Sequence, residues 1–87
     1  MTSTSHPLVT AGQLGAMLQA ARTAQGLTQS ELASRIGLSQ SRVSYLELHA
    51  QDLSVEQLLA WCAVLGLELS VGARGSAAQW APPATDW

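Results

Sequence analysis

The chain has 87 residues, 47 % of them hydrophobic, with four Arg, no Lys, six acidic side chains and a formal net charge of −2. That length holds one small domain, which buries only about 60 % of its extended surface and gains from self-association or a partner. The single cysteine, Cys62, excludes an intramolecular disulfide and a Cys-based zinc cage, which favours a reducing cytoplasm over a stapled secreted scaffold; no apolar run approaches the roughly 18 residues of a membrane span, and the start MTSTSHP has no secretory pattern.

Residues 1–9 are rich in Ser and Thr, carry His6-Pro7, and read as a flexible lead-in. Thr10 followed by Gln13 makes a capping box, in which each side chain takes the other residue's backbone N–H. Leu14, Met17, Leu18, Ala21 and Ala24 then recur at helical spacing until Gly26 stops the run. Thr28 with Glu31 repeats the box and predicts a second helix over 29–36, with Leu32, Ala33 and Ile36 inward. Gly37 can take positive φ and end that helix, Leu38 can pin the turn to the core, and Ser39 can N-cap a third helix over 40–48 anchored by Val43 and Leu46. Two short helices joined by such a turn form the helix-turn-helix unit. Residues 49–53 read as a loop. Ser54 with Gln57 opens a fourth helix ending near Leu65, with Gly66 past its end.

Helix four carries Leu58, Leu59, Ala60, Trp61, Cys62, Ala63, Val64 and Leu65 in an unbroken apolar run, so more than one face needs covering. Its own domain covers one; a twin subunit covers another, the alternative being an unusually enclosed helix. Beyond Gly66, Leu67, Leu69, Val71 and Ala73 alternate with Glu68, Ser70, Gly72 and Arg74, the repeat of a half-buried strand. A strand must pair, and no second strand pattern exists in the chain. Its partner is then the same strand of a second copy across a twofold axis, against the alternative of an irregular arm or an extra helical turn. The dimer seam so predicted comprises Trp61, Val64, Leu67, Leu69 and Val71. The last stretch, GSAAQWAPPATDW, reads as a disordered tail. Trp80 and Trp87 within it are either incidental or a short motif for a partner's pocket. The organisation is therefore a lead-in over 1–9, a helix-turn-helix domain over 10–66, a dimerisation strand over 67–74 and a tail over 75–87.

Catalytic and metal constellations fail inspection. His6 and His49 have no Cys or carboxylate at a dyad or metal spacing, Cys62 sits in an apolar helix, and no Gly-rich phosphate loop follows a strand. The chain reads as a non-enzyme with no metal and no cofactor. The start of the third helix is more informative, because that end of a helix-turn-helix enters the major groove. It offers Ser39, Gln40, Ser41 and, one turn on, Ser44. Gln40 can pair bidentately with adenine, the serines make single bonds, and Arg42 reaches a guanine edge or a phosphate. Gln29 and Ser30 lie at the amino end of helix two, where exposed amides and the helix dipole favour a phosphate. Tyr45 either touches the DNA backbone or braces the helix. The charge balance runs against this reading: Arg22, Arg35 and Arg42 lie in or near the unit, opposed by Glu31 and Glu47, whereas phosphate neutralisation supplies much of the affinity of DNA readers. A DNA reader of this kind acts as a dimer or in a larger complex, with amides and hydroxyls carrying much of the contact. A protein-interaction adaptor that never touches DNA is the alternative.

The pattern LTQSELASRIGLSQSRVSYLE resembles the helix-turn-helix of the lambda-repressor-like (Xre) family over about residues 10–66. The resemblance implies an all-α bundle of four to five helices. With LELSV after the bundle and a tail ending in Trp87, the chain is similar to the HipB-type antitoxins. That resemblance implies a homodimer whose two strands form an intersubunit two-stranded sheet. It implies binding to a pseudo-palindromic operator, repression of a toxin–antitoxin operon, and a complex with a HipA-type serine/threonine kinase toxin. It carries DNA contacts onto Ser30, Ser39, Gln40 and Ser41, a phosphate contact onto Gln29 and a toxin contact onto Trp87. Ser39 departs from the pattern, standing where a basic residue would help. A stand-alone repressor of the same family, with no toxin, is a further alternative.

Overall fold

Among the described residues, three of the four α-helices open on the same reciprocal bond. Thr10, Thr28 and Ser54 accept the backbone N–H three residues on at 3.1, 3.0 and 3.0 Å, while Gln13, Glu31 and Gln57 take the N–H of the cap at 3.0, 2.8 and 3.0 Å. These boxes start α1 (Ala11–Ala24), α2 (Gln29–Ile36) and α4 (Val55–Leu65) in the computed structural model, which describes residues 6–74. Ser39 caps α3 (Gln40–Leu48) with its hydroxyl alone, 3.1 Å from the N–H of Arg42. The Glu31 carboxyl lies below its ordinary range, chiefly because the Thr28 backbone N–H and then the Thr28 hydroxyl bind its charged form. What it lends to α2 is therefore present above the ordinary value of 4.5 and is lost as pH falls through the lowered one.

The ends of α1, α2 and α4 share a second device. Gly26, Gly37 and Gly66 take φ of 72°, 75° and 70°, and the leucine after each donates to a carbonyl five residues back: Leu27 to Arg22, Leu38 to Ala33 and Leu67 to Cys62, at 3.1, 3.0 and 2.8 Å. Left-handed glycine lets the chain satisfy a last carbonyl, and the leucine then falls onto the core. Leu27, Leu38 and Leu67 all pack there, half-buried.

Leu18, Leu32, Val43, Leu46 and Trp61 are completely buried, with Leu65 beside them. Each such side chain contributes about 1.5–3 kcal/mol through removal from water. α2 and α3 pack on one another, α1 lies against α3, and α4 closes the bundle against α2. The predicted loop 49–53 is instead a 3-10 turn over Ala50–Asp52, because Ala50 is buried against α1 and the Tyr45 hydroxyl grips Asp52. No helix among the described residues is long and apolar enough to cross a membrane.

Two expectations for the seam change. Trp61 has 0 % exposure within its own protomer, so it is a core residue and offers nothing to a second copy. Leu67 closes α4 against Cys62 and is half-buried rather than opening a free strand. Residues 67–73 form no strand within the single chain, so the described fold is a four-helix bundle. The apolar face of α4 left open is Val55, Leu59 and Ala63, four residues apart, with Leu69 and Val71 exposed beyond it. Val64 is half-buried against the core. Trp80 and Trp87 fall in residues 75–87, outside the described residues.

Gly15 lets α1 approach α3 closely: a Cβ there would run into the carbonyl oxygen of Glu47. Gly15→Ala gains about 1 kcal/mol of helix propensity but must push α3 away, and overpacking of this kind costs up to about 3 kcal/mol. Net destabilisation of about 2 kcal/mol is expected in urea unfolding. Gly12→Ala, whose Cβ meets only the Thr10 hydroxyl at 3.8 Å, is the control and is expected to be neutral or stabilising.

Candidate nucleic-acid interface

A chain of polar contacts runs from the interior of the bundle to its surface. Arg22 of α1 and Glu47 of α3 are buried at 7 and 5 % exposure, although both are charged. Arg22 Nε donates to Glu47 Oε2 at 2.6 Å and Nη2 to Oε1 at 3.2 Å, while Nη1 donates to the carbonyl of Leu27 at 2.9 Å. A two-point guanidinium–carboxylate contact is the geometry that best offsets the cost of burying two charges. Glu47 Oε1 also accepts Nε2 of Gln29 at 3.0 Å, and Gln29 Oε1 accepts Nε2 of Gln40 at 2.6 Å. Gln40 is exposed. The first residue of α3 is thus tied, through the first residue of α2, to an ion pair in the core.

The other residues singled out from the sequence fall around this relay. Ser30, Ser41 and Arg42 are exposed, and Ser44 is half-buried one turn on from Gln40 and Ser41. The Ser39 hydroxyl is already the cap of α3 and lies 3.3 Å from that of Ser41, so these two hydroxyls face one another. The Arg42 guanidinium lies over the Tyr45 ring, 5.1 Å from its centroid. Two residues differ from the expectation: Arg22 is no free cation near the reading unit, and Glu47 does not detract from a basic surface. They neutralise one another inside. The signal was present in the spacing, since Arg22 follows the buried Leu18 by four residues and Glu47 follows the buried Val43 by four, placing both on inward stripes.

The helix-turn-helix family model HTH_3 matches residues 18–71, more than half of the chain. The chain belongs to the helix-turn-helix family. Solved chains with a similar fold include the following three. "MDT Protein" and a chain of "Structure of HipA-HipB-O2-O3 complex" are each 24 % identical with a TM-score of 0.73, and the match covers 80 % of this chain and 99 % of theirs. A chain of "HipB-O1-O2 complex" is 25 % identical with a TM-score of 0.72, covering 79 % of this chain and 100 % of that one. No curated protein sequence matches the chain.

In this helix-turn-helix, Tyr45 is a brace. Its hydroxyl donates to Asp52 Oδ2 at 2.5 Å and its ring stacks on His49 with centroids 4.4 Å apart. Among the described residues no three His, Cys, Asp or Glu gather where a metal ion would need them. Burial pushes the Cys62 thiol up, away from nucleophilic use. The Tyr45 phenol is likewise raised above its ordinary 10.0, first because Asp52 binds its protonated form and then through desolvation. Asp52→Ala is therefore expected to bring the phenol titration, followed by ultraviolet absorbance, back down towards 10.0; an unmoved titration would mean that the hydroxyl is not held by Asp52.

Proposed function

We propose that the chain is a dimeric, DNA-reading antitoxin of the HipB type that represses its own toxin–antitoxin operon and binds a HipA-type serine/threonine kinase toxin. The observation that carries the reading is the presentation of Gln40 and Ser41, exposed at the start of α3, with Gln40 braced from α2 by Gln29. Support comes from two structural neighbours, described as a HipB-O1-O2 complex and a HipA-HipB-O2-O3 complex. In this proposal each protomer sets α3 in one of two successive major grooves about 34 Å apart on a pseudo-palindrome. Gln40, Ser41 and Ser44 meet base edges, Ser39 lends its remaining hydroxyl donor, and Arg42 takes a base edge or a phosphate. Gln29 has a second N–H to spare for a phosphate, and Ser30 lies beside it at the start of α2. Trp87 is the toxin contact, on the strength of the resemblance.

The domain runs over 10–66, and residues 67–74 pair with their counterparts in a second copy. The open stripe of Val55, Leu59 and Ala63 with the exposed Leu69 and Val71 supports such a seam, with Val64 and Leu67 at its inner margin. Trp61 is left out of it. Leu69 is 42 % exposed in the protomer, so Leu69→Asp is tolerated by the fold. That variant is expected to sediment as a monomer and to lose operator binding with it; a charged variant that stays dimeric would remove the strand from the seam.

Gel shifts with the DNA upstream of the reading frame, at low and moderate salt, test the reading itself. Gln40→Ala is expected to weaken binding at the cognate site by about 1–3 kcal/mol and to relax base preference there, with little effect on scrambled DNA. Equal loss on both would make Gln40 a backbone contact. A protein-only adaptor, which the net charge of −2 favours, gives no shift with any duplex.

A further inference from the structure

We infer that Glu47, although buried and facing away from solvent, is a positioning residue for base readout: its charge decides which atoms Gln40 turns towards DNA. The inference rests on the DNA-reading proposal above. A carboxylate held by arginine only accepts hydrogen bonds. Gln29 must therefore turn its NH2 group to Glu47, as it does, and this leaves its carbonyl oxygen for Gln40. An oxygen there can only be met by a donor, so Gln40 gives up one N–H. The atoms left at its outer end are one N–H and Oε1, a donor beside an acceptor. Adenine offers the complement in the major groove, an N7 acceptor beside an N6 donor.

With the polarity of Gln29 reversed, Gln40 would accept from it and turn two N–H groups outwards. That pair suits the N7 and O6 acceptors of guanine instead. An amide pair by itself has no preference between the two arrangements. The preference comes from Glu47, and Glu47 is held in orientation at two points by Arg22, which in turn grips the Leu27 carbonyl at the entry to α2. A buried charge pair thereby acts on a base two side chains away without touching DNA.

The test uses the full chain and fluorescence anisotropy on duplexes carrying A·T or G·C at the base pair whose identity ceases to matter in Gln40→Ala. Wild type is expected to prefer A·T by about tenfold. The double variant Arg22→Met with Glu47→Leu replaces the ion pair by apolar groups of similar volume, an exchange that is often neutral or stabilising. In it the preference is expected to fall to about twofold or less, while affinity for an unrelated duplex is unchanged. A folded double variant that keeps the tenfold preference overturns the inference and leaves the DNA-reading proposal standing. A wild type that distinguishes no operator from scrambled DNA ends both. If the double variant does not fold by circular dichroism, the side-chain amide of Gln29 in free wild type decides. Slowed exchange of its NH2 protons with water supports the inference, and exchange at the rate of an open glutamine overturns it.

Discussion

The guanidinium of Arg22 and the carboxylate of Glu47 meet inside a domain that has few other polar groups in its interior, and four segments converge on that contact. α1 supplies the arginine, α3 the carboxylate, the turn after α1 a carbonyl and α2 an amide. Removing either partner alone would strand the other charge, at a cost of about 3–5 kcal/mol. That is a large share of the stability of a small domain. Glu47 meets α1 a second time, two turns before Arg22, where its carbonyl fills the space that a Cβ on Gly15 would take. Backbone and side chain of one residue thus both hold α3 against α1.

Around that contact the core is apolar and centred on Trp61, and one side of α4 is left without cover. Val55 is 69 % exposed and Leu59 50 %, on a helix whose opposite face carries the buried Trp61, Cys62 and Leu65. Exposed apolar side chains in series on one stripe are the mark of an interaction face. A dimer that buried them would bring two reading helices to a set spacing, so the same surface that lacks a partner in one chain would give the pair its register on DNA.

Charge gives the interface its character. With Arg22 neutralised internally, the exposed cations among the described residues are Arg35, Arg42 and Arg74. Few counterions are released by so few contacts, so affinity for DNA would depend less on salt than in a basic repressor, and more on amides and hydroxyls held in place. Order in the reading surface matters more in such a protein. The Ser39–Ser41 pair, the Gln29–Gln40 bond and the Arg42–Tyr45 stack supply it.

The bounds of α1, α2 and α4 could be read from the chain, because a capping box marks each start and a glycine followed by a leucine marks each end, while α3 is marked only at its start, by Ser39. Those bonds are local and need nothing from the rest of the fold. The 3-10 turn at Ala50–Asp52 escaped, since it exists through burial of Ala50 against α1 and the reach of Tyr45, both tertiary. The apolar run around Trp61 does not say which of its faces the domain itself covers; only packing against α1 and α2 turns Trp61 inwards. Gln29 and Gln40 were legible as separate candidates at two helix starts, but their bond joins residues 11 apart, the bond to Glu47 joins residues 18 apart, and the ion pair joins residues 25 apart. The sequence alone determined where helices begin and end and which side chains stand at the front of α3. Only the tertiary structure decided that those side chains are wired to a buried charge, because partners so distant along the chain are brought together by the packing of whole helices.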